Sequence, residues 1–242
     1  MDTIILGDGP LGRAVAAAFR ERGTEARLLG RPAGGGHDRR EIGSPDLAIE
    51  ASRAEAVAAN VGAALAAGCR RFVIATTGWE SDRAAVADDL RAHGAAAVVA
   101  PNLSLGAALF FRLVERAAEL YGAVGDFDPY IVEWHRRSKR DRPSGTAKEL
   151  ARRVVGPRGR DTGELEIAVI RAGASPGMHL VGFDSPGETV ELRLTARDRS
   201  AYAAGALAAA DWLTLEARPP GIHPFDAVVD DLLIAPALAA TA

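Results

Sequence analysis

The residues best suited to chemistry in this 242-residue chain crowd into one stretch, EWHRRSKRDRPSGTAKELARRV, which runs from Glu133 to Val154. Between Arg136 and Arg142 it sets five formal cations, Arg136, Arg137, Lys139, Arg140 and Arg142, against a single acid, Asp141. Pro143, Ser144, Gly145 and Thr146 follow. They read as the start of a helix, whose first N–H groups lack partners within the helix. Cations aimed at a helix mouth make a site for a small polyanion, and carboxylates suit it as well as phosphates. His135 is the neighbour able to exchange a proton near neutral pH. Lys139 becomes a second proton donor if the surrounding cations lower its pKa. Charge alone would equally describe a solvated, basic helix entry.

A second signature opens the chain. GDGPLG, made of Gly7, Asp8, Gly9, Pro10, Leu11 and Gly12, matches G-x-G-x-x-G between an expected strand and an expected helix. In that setting the first glycine allows a tight turn. The second lets backbone approach a pyrophosphate, and the third lets helix and strand pack closely. The helix N-terminus adds N–H groups and the positive end of its dipole. The next strand ends at Gly30 and is followed by Arg31, with no acid before Asp38. An arginine there suits a ribose 2′-phosphate, so NADPH is the expected cofactor, with NADH possible. IATTGW (residues 74–79) and APNLSLGA (residues 100–107) each follow a strand of the same sheet. Thr76, Thr77 and Asn102 are therefore placed to contact the nicotinamide ribose or carboxamide. Helix caps are the alternative for these turns.

The elements that must position these residues fall into two groups. Strands over 3–6, 26–29, 47–49, 71–75 and 96–100 alternate with helices over 10–22, 54–67, 81–93 and 103–121; residues 31–40 form a Gly-rich loop. This order predicts a doubly wound parallel sheet covered by helices, an α/β fold of Rossmann type. After residue 130 the pattern changes to strands over 130–134, 165–171, 179–183 and 189–195, with one helix after Ser144. The alternation at 165–171 and 189–195 suggests half-buried antiparallel strands. A helix with Ala and Leu along one face is expected over 200–216, and a short one over 225–233. Two domains follow: a dinucleotide-binding domain of residues 1–103 with a C-terminal return of 220–242, and a smaller α+β domain of residues 104–219.

The totals narrow the classes. A formal charge of −3 gives no reason to expect a nucleic-acid or membrane partner, so the basic cluster is a local device. Cys69 is the sole cysteine, which excludes a disulfide within the chain and suits a reducing compartment. The N-terminus lacks the pattern of a signal peptide, and no stretch approaches the ~20 apolar residues of a membrane span. A cytoplasmic location is the expectation.

With these residues assembled, the chain resembles the 4-hydroxy-tetrahydrodipicolinate (dihydrodipicolinate) reductase family. The family's E-x-H-H-x-x-K-x-D-x-P-S-G-T-A is matched by Glu133, His135, Lys139, Asp141 and the run from Pro143 to Ala147. Its G-T-T-G appears as Ala75, Thr76, Thr77 and Gly78, and its A-P-N-F-S-x-G from Ala100 to Gly106. A third block, R-A-G-x-x-x-G-x-H-x-x-x-F-x-x-x-G-E, runs from Arg171 to Glu188. The resemblance implies a mixed four-stranded sheet in the second domain, a homotetramer and hinge closure between domains. It implies that Ala75, Thr76, Thr77, Ala100, Asn102 and Leu103 join the glycine loop and Arg31 in holding NAD(P)H. A cyclic dicarboxylate would bind Ser144, Gly145, Thr146 and Lys139, with Arg136 and Arg199 nearby. His135 would give or take a proton, Lys139 would be a second donor, and no metal is implied.

Departures are also visible. Arg136 stands where the family has a second histidine, and a guanidinium can hold charge but not titrate. Glu50, Ala51 and Ser52 replace D-F-T, and the phosphate loop and residues 156–163 are short for the family. Two other functions use the same residues: a related reductase of another cyclic imine or unsaturated carboxylate, and a non-catalytic NADP-binding protein.

Overall fold

The computed structural model describes residues 1–30, 37, 39–156 and 165–239, with the backbone alone for Arg39 and residues 235–239. In chain order the elements are β1 (Thr3–Leu6), α1 (Pro10–Glu21), β2 (Ala26–Leu29), α2 (Arg39–Ile42), β3 (Leu47–Glu50), α3 (Val57–Ala66), β4 (Arg71–Ile74), α4 (Arg83–Ala92) and β5 (Ala96–Val99). There follow α5 (Leu105–Val124), β6 (Asp128–His135), α6 (Gly145–Val155), β7 (Glu166–Arg171), β8 (Met178–Asp184) and β9 (Thr189–Thr195). The chain closes with α7 (Ser200–Leu215), β10 (Gly221–Pro224) and α8 (Phe225–Ala239). These elements form two compact units, Met1–Leu105 with Arg199–Ala242, and Gly106–Asp198.

The first unit is a six-stranded parallel sheet in the order β10-β5-β4-β3-β1-β2. β1, β3 and β5 are buried at every position, as strands covered on both faces must be. Ile4, Leu6, Ala48, Ala97 and Val99 from these strands pack with Phe72, Val61, Leu65, Val86 and Leu90 into one core. Cys69 lies fully buried in it, and burial pushes its thiol up to about 11. The chain passes from β1 to β2 on one side and then back to β3 on the other. That reversal opens a crevice at the carboxyl ends of β1 and β3, where open sheets of this kind bind ligands.

Two features of this unit differ from the sequence expectation. β10 adds a sixth strand, pairing Gly221 with Ala96 and Pro224 with Val99. Its sequence, GIHP, is four residues long and ends in proline; such a strand is tolerated at a sheet edge but carries no strand signal. The return from the second unit comes at Arg199, before α7, rather than near residue 220. The reason is packing. α7 buries Ala203, Gly205, Ala206, Leu207, Ala209, Ala210, Trp212 and Leu213, so it is apolar on more than one face. A Cβ on Gly205 would sit 1.6 Å from the Leu103 carbonyl oxygen, so the helix lies directly on the backbone after β5. Arg71 Nε donates to the Leu213 carbonyl at 3.0 Å, and Arg22 pairs with Asp211 at 2.7 Å.

The second unit is a mixed sheet in the order β7-β6-β8-β9. β8 and β9 are antiparallel, as are β6 and β8. β7, however, runs parallel to β6, which corrects the antiparallel reading of residues 165–171. The alternation there is real, but α6 forms a crossover between β6 and β7, and a helical crossover returns the chain in the same direction. Side chains from α5 and α6, among them Phe110, Phe111, Val114, Leu150 and Val154, pack on Ile131, Val181 and Phe183 of the sheet. On the opposite face of β6 and β7, the paired Trp134 and Ile170 are 38% and 44% exposed.

Candidate active site

Glu133 and His135 are two residues apart on β6, so they share the sheet face that packs against the helices. Register then sets their neighbours. Glu133 lies opposite His179 of β8, and His135 lies opposite Arg171 of β7. All four are buried, and the side chains of Glu133 and Arg171 are fully so. Arg171 donates to Glu133 Oε1 at 2.6 Å and to the Asp141 carbonyl at 2.6 Å. The Ser144 N–H reaches both Glu133 oxygens, at 3.1 and 3.2 Å. His135 Nδ1 and His179 Nε2 approach Glu133 Oε2 at 3.5 and 3.6 Å, with the two rings edge to face at 5.0 Å.

Ser144 is the N-cap of α6. Its Oγ accepts from the Ala147 N–H at 3.2 Å and lies 3.2 Å from His179 Nε2. Helix geometry leaves the Gly145 and Thr146 N–H groups without intrahelical acceptors. A Cβ at Gly145 would meet nothing within 4 Å, so the approach to these donors is open. Lys139, about three-quarters buried, pairs with Asp141 at 2.8 Å. Arg136 is exposed and donates to Ser138 Oγ at 3.2 Å.

The charges are ordered by these contacts. Burial raises the pKa of Glu133, but hydrogen bonds from Ser144 and Arg171 outweigh it and hold the carboxyl below the usual range. Burial lowers His135, with Lys139 and Arg171 adding to the effect and Glu133 and Asp141 opposing it. Burial, then His135, drives His179 down to about 4. Near neutral pH, therefore, Glu133 is an anion and His179 is neutral. Glu133, His135 and His179 also form the group of possible metal ligands found among the described residues. The carboxylate is already neutralised by a guanidinium at 2.6 Å, and a second cation there would meet Arg171.

In the first unit, the glycine loop has the shape of a pyrophosphate cradle. Gly7 has φ of +118°, and a Cβ there would lie 2.5 Å from the Ala51 carbonyl oxygen. A Cβ at Gly12 would lie 1.9 Å from the Gly7 carbonyl oxygen, so β1 and α1 pack backbone to backbone. Gly9 caps α1 without a side-chain hydrogen bond, and space opens where its Cβ would be. Asp8 and Pro10 are exposed and Leu11 is half-buried. This donor set suits an anionic dinucleotide. Ala75, Thr76 and Thr77 follow β4, and Ala100, Asn102 and Leu103 follow β5.

Several of these residues are already engaged. The Thr76 hydroxyl donates to Glu50 Oε1 at 3.1 Å, and Asn102 Oδ1 accepts from the Ser104 N–H at 2.9 Å. Leu103 is buried beneath α7. Thr77 is exposed. Arg31 lies outside the described residues. Arg199, the N-cap of α7, is exposed and belongs to the first unit, whereas His135, Lys139 and Ser144 belong to the second.

Sequence reasoning gave no role to Glu133, Arg171, His179 or Glu50. The first three sit inside the blocks that carried the resemblance, but their meeting depends on the pairing of β6 with β7 and β8. Glu50 ends β3 fully buried, accepting from the Ser52 N–H at 2.9 Å, the Ser52 hydroxyl, Asn60 Nδ2 at 2.8 Å and Thr76.

The family profile described as "Dihydrodipicolinate reductase, C-terminus" matches residues 106–229. The 4-hydroxy-tetrahydrodipicolinate reductase of Methanosarcina mazei is 35% identical over 201 residues, covering 76% of this chain and 73% of its own. The protein of that name from Methanopyrus kandleri is 39% identical over 193 residues, covering 74% and 69%. A solved dipicolinate-bound dihydrodipicolinate reductase from Paenisporosarcina sp. TG-14 superposes with a TM-score of 0.71 at 18% identity, over 93% of this chain and 97% of that one, and so shares the fold. The profile match and the two sequence relationships place this chain in the 4-hydroxy-tetrahydrodipicolinate reductase family.

Proposed function

We propose that the chain reduces 4-hydroxy-tetrahydrodipicolinate to tetrahydrodipicolinate with NAD(P)H, preferring NADPH, in lysine and diaminopimelate biosynthesis. The observation that carries this reading is the mouth of α6. There, helix geometry leaves the Gly145 and Thr146 N–H groups without intrahelical acceptors, next to Ser144, which shares Glu133 with His135, while Lys139 in the preceding loop pairs with Asp141. Those donors and the ammonium bind the ring carboxylates, and Arg136 adds fixed positive charge at the rim. A dinucleotide held at the glycine loop would supply the hydride for ring C4, whose hydroxyl would leave as water. Lys139 and His135 supply the proton this loss requires, and each can be restored from solvent.

The glycine loop, with Ala75, Thr76, Thr77, Ala100, Asn102 and Leu103 lining the ends of β4 and β5, holds the cofactor. Thr76 and Leu103 contribute mainly through their backbone, since the hydroxyl of one is committed to Glu50 and the side chain of the other is buried. Arg31 binds the 2′-phosphate, and Arg199 is, by its place in the family pattern, the further basic residue for the substrate's charge. The exposed Trp134 and Ile170 suit burial against a second copy in a homotetramer. Among the described residues no helix is long and apolar enough to cross a membrane, and the proposed setting is the cytoplasm.

The test is a coupled assay that generates 4-hydroxy-tetrahydrodipicolinate and follows NADPH absorbance. Rapid oxidation is expected. Oxidation only with other cyclic imines would transfer the reading to a related reductase, for which Arg136 in place of a histidine is the motive. Cofactor binding without turnover of any such substrate would overturn reductase activity. In the same assay Arg31→Asp should shift preference from NADPH toward NADH, by about tenfold or more if one charge-assisted contact is lost. An unchanged ratio would place the 2′-phosphate elsewhere.

A further inference from the structure

Glu133 is a costly residue to keep. It is a fully buried carboxylate in the middle strand of a small sheet, and burying a charge is unfavourable unless it is paired and hydrogen-bonded. Arg171 supplies the pairing, and a hydrophobic pair would fill the same volume without that cost. What a hydrophobic pair would not do is meet the other contacts of the carboxylate. Oε1 and Oε2 both receive the Ser144 N–H, which fixes the first residue of the α6 mouth. Oε2 lies 3.5 Å from His135 Nδ1, a buried ring nitrogen that has no hydrogen-bond partner, so this carboxylate is the charge it faces. On the far side of the ring, Nε2 would lie 3.1 Å from a Cβ on Gly177, a position that glycine leaves clear.

We propose that Glu133 is a positioning residue for His135: it holds the ring proton on Nδ1, leaving Nε2 as the nitrogen that exchanges a proton with substrate or solvent. The proposal rests on the reading of His135 as the proton-transfer group. The reasoning is general. A carboxylate behind one nitrogen of an imidazole selects the tautomer that donates to it, and it stabilises the imidazolium formed when the other nitrogen is protonated. The groups facing the ring are Glu133 on β6, Arg171 on β7, His179 on β8, and Lys139 and Asp141 in the loop after β6. His179 stays neutral through the working range, so Glu133 does not divide its charge between two imidazolium rings. The same carboxylate grips Ser144, so the ring and the carboxylate-binding mouth of α6 are referred to one fixed point.

The experiment is ¹⁵N NMR of ring-labelled histidines in the wild-type protein and in Glu133→Gln, with His135→Asn used to assign the signal. In the wild-type protein neutral His135 is expected as the Nδ1–H tautomer. A neutral ring protonated on Nε2 overturns the proposal, and this reading does not depend on Glu133→Gln folding. In Glu133→Gln the His135 titration should move down by about one pH unit or more, since an opposite charge within contact range is lost. The alkaline limb of turnover against pH, where a proton donor is lost, should move down with it. A folded variant in which both are unchanged also overturns the proposal. None of the NMR readings needs substrate. Absence of turnover with a normal wild-type tautomer would therefore count against the proposed reaction and not against this role.

Discussion

Each unit of this protein buries a glutamate completely, and the two are stabilised in opposite ways. Glu50, at the end of β3, is surrounded by hydroxyl and amide donors from Ser52, Asn60 and Thr76. Burial pushes its pKa up, against the lowering effect of those donors. Glu133, in the middle of β6, has a guanidinium at 2.6 Å, and its pKa falls despite burial. Neutral donors can hold a carboxyl in place without committing it to a charge, while a buried cation fixes the charge. The first arrangement suits a brace between loops beside an anionic dinucleotide, where a full negative charge would be unwelcome. The second suits a site that receives a dianion and must keep its charges in fixed places.

The linkage to pH follows from these directions. The contribution of Glu133 is present above 4.5, its ordinary value, and is lost as pH falls through its lowered folded value. Glu50 behaves in the reverse sense: its contribution is present below 4.5 and is lost as pH rises through its raised folded value. The sharpest break in the comparison is Glu133→Ala, which strands the buried Arg171. Urea unfolding at neutral pH should show a loss of about 3–5 kcal/mol. A loss under about 1 kcal/mol would mean that water relieves the guanidinium.

The next effect belongs to His179, whose ring has an ordinary value of 6.5 and is held at about 4. Its contribution is present above 6.5 and is lost as pH falls from there to about 4. At 1.36 kcal/mol per pH unit this is about 3 kcal/mol of stability. Unfolding curves at stepped pH should show this slope in the wild-type protein and its absence in His179→Asn. Equal slopes would reject the assignment.

Lys139→Ala should lower turnover by about a hundredfold, the effect of losing an acid–base group, and leave NADPH affinity nearly unchanged. Stopped-flow binding and steady-state rates separate the two; equal losses would show that Lys139 serves the cofactor instead. The smallest change is expected for Glu50→Gln. A neutral amide replaces a carboxyl already inclined to neutrality, and reversal of the Asn60 amide restores the pairing. Stability should stay within about 1 kcal/mol. A loss near that of Glu133→Ala would erase the distinction between the two sites.

Much of this was legible in the residues. Thr3–Leu6 and Thr189–Thr195 are strands with the bounds their composition suggests, because β-branched or alternating runs leave few alternatives. His135, Lys139 and the Ser144 cap could be placed because they lie within a dozen residues of one another, where local geometry dominates. β10 was invisible because Gly-Ile-His-Pro has no periodicity and is a strand only by pairing with β5. The home of α7 was misjudged for a related reason: an Ala-rich helix packs wherever a backbone can approach it closely, and Gly205 shows which backbone that is. The Glu133 network required knowing that β7 runs parallel to β6, a consequence of the α6 crossover and not of any pattern within β7.

The interrupted first unit has a consequence for synthesis. Residues Gly106–Asp198 form a contiguous unit that can condense as it leaves the ribosome, while the parallel sheet waits. Until α7 and β10 emerge, β5 is an unprotected edge and the backbone after it lacks its cover. A later segment therefore seals an earlier one, so premature termination after Asp198 would leave a finished middle and an open, aggregation-prone first unit.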